Sequence, residues 1–307
     1  MQLRIFCTAS VALLTFAVIA CGDDGHRTTA LFSVNAADRD DFYALPFPND
    51  LWRGADKHID LSQFPTKSLL VGQYRDAAAA ALDGFGLNQT IFVRFSDAID
   101  PATLPSVDGS RQAGASVYLV NVDTASPRLG EKLPVITTFR PDAGQTIGAN
   151  SLAIRPYPGF PLDEGTTYAA VITDAVRSLD GGPIQAAPDF VALRDGGNAT
   201  PEALQRYAPL RAYLGANASN VICATVFTTQ TFTHYVKGLR TAVANAPAPT
   251  ATDVVKTSTA TGFAIFEGKY QAPNFQTGTP PYRSSGGEIV LDASGAAIAQ
   301  RAEAMRR

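Results

Sequence analysis

The sequence predicts a mainly β fold: an antiparallel β-sandwich over residues 85–195, with a smaller α/β portion at 196–307 on its C-terminal side. Three observations lead there. From Thr90 onward short apolar runs alternate with a period of two residues. Clusters of Gly, Pro and Asp separate those runs at short intervals. Only 17% of the residues are charged, against 25 glycines and 20 prolines, the composition of a turn-rich extracellular β protein.

Taken in order, the chain opens with Arg4 and an apolar run from Val11 to Ala20, the length of a signal-peptide core and too short to span a bilayer. The run closes on Val18-Ile19-Ala20-Cys21, which resembles the lipobox of bacterial lipoproteins. That resemblance implies that residues 1–20 are a lipoprotein signal peptide and that Cys21 is the lipidation site. Two or three acyl chains on one residue anchor a protein stably where a single chain would not. Gly22 follows the cysteine where an aspartate would retain a lipoprotein at the inner membrane, so the resemblance points to the outer membrane of a bacterial envelope. Residues 21–42 are polar and aperiodic and read as a flexible tether.

Residues 43–84 begin with Tyr43 to Trp52, aromatic and apolar residues set among prolines, which favours an extended segment docked on a surface. Trp52, the only tryptophan, is expected to plug a core edge. Ala77 to Ala81 predicts a short helix over Gly72 to Leu82, ended by Asp83-Gly84. Strands are expected at Thr90–Phe95, Ser116–Val122, Pro134–Arg140, Ser151–Arg155 and Tyr168–Thr173. Thr200-Pro201 supplies an N-cap and a first-turn proline for a helix that Pro209 should kink or divide and Gly215 should close. Val221 to Thr229, the longest β-branched run, should be a central strand. A second helix follows at Phe232–Ala244, then brief strands at Phe263–Phe266 and Glu288–Leu291, and Ala296–Arg307 reads as helical or frayed.

Function classes are narrowed mostly by what is missing. A net charge of −3 with no basic cluster excludes a nucleic-acid footprint. Cys7 leaves with the signal and Cys21 takes the lipid, so Cys223 has no partner for an intrachain disulfide and is expected to be a small buried core residue. The three histidines, His26, His58 and His234, have no metal-ligand spacing, and His234 reads as an ordinary helix residue. Turn carboxylates such as Asp97, Asp100, Asp108, Asp163 and Glu164 form no calcium-loop pattern and read as solvated. No catalytic, cofactor-binding or metal-binding residue is assigned. Tyr43, Phe47, Trp52, Tyr157, Phe160, Phe275 and Tyr282 are explained equally by a ligand platform or by packing around proline-rich edges, and packing is preferred.

Four segments in fixed order carry a wider resemblance: Pro46-Phe47-Pro48-Asn49-Asp50-Leu51; Ile91 to Leu104; Leu152 to Thr173 with Asp180-Gly181-Gly182-Pro183; and Val226 to Gln230. Together they resemble the N-terminal part of secreted bacterial lipase-like lipoproteins, in which a bacterial Ig-like domain precedes an α/β-hydrolase domain. The resemblance implies an Ig-like sandwich at residues 85–195 and a linker toward a hydrolase domain. No G-x-S-x-G occurs in these 307 residues, so no serine nucleophile is carried over. The expectation is a membrane-anchored, non-catalytic Ig-like module of a lipase- or esterase-like surface protein, partnered by the membrane through Cys21 and by a hydrolase domain or neighbouring polypeptide. Two alternatives stay open. One is the front part of a carboxylic-ester hydrolase completed by a downstream polypeptide. The other is an adhesion or glycan-binding lipoprotein, which would show an exposed aromatic cluster or a calcium site.

Overall fold

The structure, a computed structural model, describes residues 27–35, 42–282 and 286–306. The expected signal peptide and lipidation site Cys21 lie outside the described residues, as does most of the expected tether. In chain order the elements are β1 (Thr29–Ala30), α1 (Leu69–Ala81), β2 (Ile91–Arg94), β3 (Val117–Asn121), β4 (Lys132–Leu133), β5 (Val135–Arg140), β6 (Ser151–Pro156), β7 (Thr167–Thr173) and β8 (Gln185–Ala186). Then come α2 (Pro188–Asp195), α3 (Pro201–Leu214), β9 (Val221–Thr228), α4 (Thr233–Asn245), β10 (Thr252–Ala260), β11 (Phe263–Asn274) and β12 (Arg301–Arg306). Among the described residues the chain is β-rich. Antiparallel sheets run in the orders β4-β3-β7-β9, β2-β6-β5 and β10-β11-β12, and β1 pairs in parallel with β8.

The two central sheets differ in how their strands are covered. In β2 and β6, Ile91, Val93, Leu152 and Ile154 are buried while Phe92 and Ala153 are half-buried and Arg155 exposed, the alternation of a sheet with one wet face. Strands β3, β7 and β9 are buried on both faces and accordingly read as continuous apolar runs. Helices α2 and α3 pack against β9. Cys223 sits in that strand, fully buried, and burial pushes its thiol pKa up, so it is a packing residue rather than a nucleophile.

Several expectations are corrected. Strand β9 is not central: among the described residues β7 is its only hydrogen-bonded strand neighbour, and its other edge is closed by the segment Pro48–Asp50 and by Phe85. The Phe85 amide donates to the Thr228 carbonyl at 2.9 Å, and the Phe85 carbonyl accepts in return from the Gln230 amide at 2.8 Å. This approach needs Gly84, because a Cβ there would lie 2.7 Å from the Thr229 carbonyl. Helix α3 runs through Pro209 without division. Arg211 Nη2 donates to the Leu204 carbonyl at 2.6 Å, and buried Tyr207 and Leu210 hold the turn on either side of the proline. Helix α2 was not expected, although Pro188 at its first turn, Phe190 and Leu193 on one face and left-handed Gly196 at its end form a complete signature.

Helix α1 begins earlier than its alanine run because Ser68 caps it, accepting from the Val71 amide at 3.3 Å. The larger corrections lie at the C-terminal side. Strand β11 is twelve residues long, not four, since the two-residue Thr261-Gly262 turn closes it into a hairpin with β10. Glu288–Leu291 forms only isolated bridges, Ile289 with Gln276 and Leu291 with Ala297. Arg301–Arg306 is strand rather than helix, because pairing with β11 overrides the helix propensity of its Ala and Glu residues.

Candidate functional site

The Pro-Phe-Pro-Asn-Asp-Leu segment is a buried polar hub. Asn49, with no exposed surface, donates from Nδ2 to the Tyr207 hydroxyl at 2.8 Å and accepts from the Leu51 amide at 3.0 Å, capping the short 3-10 turn Asp50–Trp52. Asp50 accepts from the Thr228 amide at 2.9 Å and the Thr228 hydroxyl at 2.7 Å. Burial raises its carboxyl pKa, against the hydrogen bonds from Thr228 and the nearby Arg53 and Arg206. Thr225 donates from Oγ1 to the Pro48 carbonyl. The aromatic neighbours are packed, not displayed: Trp52 stacks on Phe42 at 4.6 Å and 19°, and Phe42 also meets Phe47 and Phe64. Tyr43, Phe47, Trp52 and Phe275 are buried and Tyr282 is half-buried beneath the Arg301 guanidinium, which leaves Tyr157 and Phe160 as an exposed pair with centroids 6.2 Å apart.

The surface that stands out lies beyond this hub. The main core cluster extends from Ala30 to Phe227, and among the described residues none after Phe227 belongs to it. Helix α4 buries only Gly238, where Leu291 and the Gly295 carbonyl come too close for any Cβ, while Phe232, Tyr235, Val236 and Val243 at that helix are exposed. His234 lies on its exposed side, against Tyr235. In the β10–β11 ribbon Val254, Val255, Phe263, Ile265 and Phe266 are exposed, Phe263 at 61% and Phe266 at 60%. Apolar surface on this scale is a mark of an interaction face.

Two carboxylates fasten this unit to the body. Glu164 accepts from the Phe232 amide at 3.2 Å and the Thr233 amide at 3.0 Å, and the Thr233 hydroxyl donates to its second oxygen. Asp83 accepts from the Thr231 amide at 2.9 Å and from the Thr231 hydroxyl. Hydrogen bonds from Thr233 hold the Glu164 carboxyl below its ordinary 4.5. At Asp83 burial acts upward, and the bonds from Thr231 outweigh it and leave the carboxyl below its ordinary 3.8. A depressed carboxyl pKa contributes stability above the unfolded value that is lost as pH falls through the folded one. Amide exchange at Thr231–Thr233, corrected for intrinsic rate, is therefore expected to be unchanged from pH 7 to 5 and to accelerate below about 4. Equal protection at pH 7 and pH 3 would show that these carboxylates do not clamp the unit.

Among the described residues no group of three or more His, Cys, Asp or Glu is placed to hold a metal ion, and no helix is long and apolar enough to cross a membrane. The family models and the curated proteins compared with the chain give no match. Among solved structures, the N-terminal part of the bacterial S-layer protein SbsC is similar over 71% of this chain and 40% of that one, at 12% identity and a TM-score of 0.24. A likeness of that size carries no weight for fold or function.

The polar hub was legible as a motif, but its role as an internal fastening was not, because Tyr207 and Thr228 lie 158 and 178 residues away from their partners. The exposure of α4 was not legible, because its apolar spacing is that of any core-facing helix.

Proposed function

We propose that this chain is the non-catalytic front module of a lipase- or esterase-like surface protein, lipidated at Cys21 and held at the outer membrane of a bacterial envelope. Its two central sheets form an Ig-like sandwich, and the unit from Thr233 onward is the face on which a hydrolase domain or neighbouring polypeptide packs. The observation that carries this reading is the unpartnered apolar surface of α4 and the β10–β11 ribbon, which adds nothing to the core of its own chain. The four resembling segments supply the kind of partner, and the lack of a G-x-S-x-G sequence in this chain assigns the chemistry to that partner.

The test is hydrolysis of a short-chain p-nitrophenyl ester by the purified chain, beside the same chain extended through the coding sequence directly downstream. The expected outcome is turnover in the extended form alone. Turnover by the short chain after stringent purification, or its absence from both, overturns the reading.

A further inference from the structure

The outward face of the β2-β6-β5 sheet forms the floor of a cleft of about 410 Å³, roofed by the loop Pro141–Asn150. Cross-strand register fixes what lies on that floor. Ala153 stands between Phe92 and Thr138, Arg155 lies beside Ile136, and Ser151 lies between Arg94 and Arg140. Ala153 is the small residue that opens the middle of the cleft, and the half-buried Phe92 ring gives it an apolar bed. Arg94 secures the roof: it donates from Nε to the Ala149 carbonyl at 3.1 Å, and its guanidinium occupies the space where a Cβ of residue 148 would fall.

Arg140 and Arg155 stand at the two ends of this cleft. Both are exposed, and among the described residues neither guanidinium makes an ion pair or a hydrogen bond. They are four residues apart in cross-strand position along β6, or about 13 Å at the rise of a strand. One carboxylate, Asp142, also lines the cleft, on the roof loop. On a chain of net charge −3, an excess of positive charge confined to one cleft is a local feature and not a consequence of composition.

We propose that this cleft binds an acidic oligosaccharide, a short run of uronate sugars whose carboxylates engage Arg140 at one end and Arg155 at the other. Guanidinium groups match planar carboxylates with paired hydrogen bonds. The apolar bed of Phe92 and Ala153 receives the flat face of a sugar ring. Hydroxyl and amide groups of Thr90, Thr138, Thr146 and Gln145 on the rim answer the ring hydroxyls. A fatty acid would leave this polar rim and one of the arginines unused. The inference does not depend on the hydrolase reading, although Phe92, Ala153 and Arg155 also lie in segments that carry the lipase-like resemblance.

The experiment is titration calorimetry of the purified protein with a galacturonic-acid tetramer, a maltotetraose control and a glutamate tetrapeptide. Saturable binding of the galacturonate tetramer is expected, with none for maltotetraose and weaker binding of the peptide. Arg140→Gln and Arg155→Gln are each expected to weaken binding roughly tenfold, the loss of a charge-assisted contact. Ala153→Met keeps both charges and fills the floor, and is expected to abolish binding. The proposal is overturned by no saturable binding of the tetramer, by equal binding of the peptide, or by tetramer affinity that these variants leave unchanged.

Discussion

Replacing Asn49 with alanine is expected to destabilise the chain by about 3 kcal/mol, as the loss of a cap and of a buried hydrogen bond at once. Asn49 is fully buried, and both ends of its amide are engaged: one caps the turn Asp50–Trp52, the other meets the Tyr207 hydroxyl on α3. Alanine leaves the Leu51 amide without its acceptor and the Tyr207 hydroxyl with only a 3.4 Å contact to the Ala224 carbonyl. Asn49→Asp keeps the cap but cannot donate to Tyr207, and it sets a second carboxylate beside the buried Asp50. It should cost at least as much as alanine. Tyr207→Phe removes the other half of the pair, and its effect should not add to that of Asn49→Ala, because both delete one shared bond. Urea unfolding reads all three as a lower midpoint at unchanged slope. Full additivity in the double variant would show that the Asn49–Tyr207 bond is not what joins the N-terminal segment to α3.

Placing glutamate at Phe263 and Ile265 is expected to weaken docking of the proposed hydrolase partner by about a hundredfold or more, because buried aromatic anchors dominate interface energy. Residues two apart on β11 lie on one face of the ribbon, and both are exposed in the chain alone. The same pair of substitutions should change folding stability by less than about 0.5 kcal/mol, as surface changes remote from a core do. It should also reduce the binding of an apolar dye by the isolated chain. A drop in stability of several kcal/mol, with dye binding unchanged, would mean that the ribbon packs within this chain.

The local elements were largely open to reading from the sequence. Short apolar or alternating runs bounded by Gly, Pro or Asp located β2, β3, β5, β6 and β7 to within a residue or two. Thr200 and Pro201 marked the start of α3, where the Thr200 hydroxyl accepts from the Ala203 amide at 3.3 Å. These signals act over a few residues, and so does the chemistry they report.

Long-range pairing was decided only by the tertiary structure. Strand β9 lies at a sheet edge although its composition is that of a central strand, because Pro48–Asp50 covers that edge from the far end of the chain. Strand β12 forms from helix-favouring residues because β11 offers it a ladder. Arg140 and Arg155 share one cleft only because β5 and β6 pair in a register that turns both outward, and a slip of one residue would send either side chain to the opposite face. Cap, turn and alternation are local free energies written in neighbouring residues. Edge cover, register and the gathering of charge are set by contacts between segments whose separation in sequence says nothing of their distance in space.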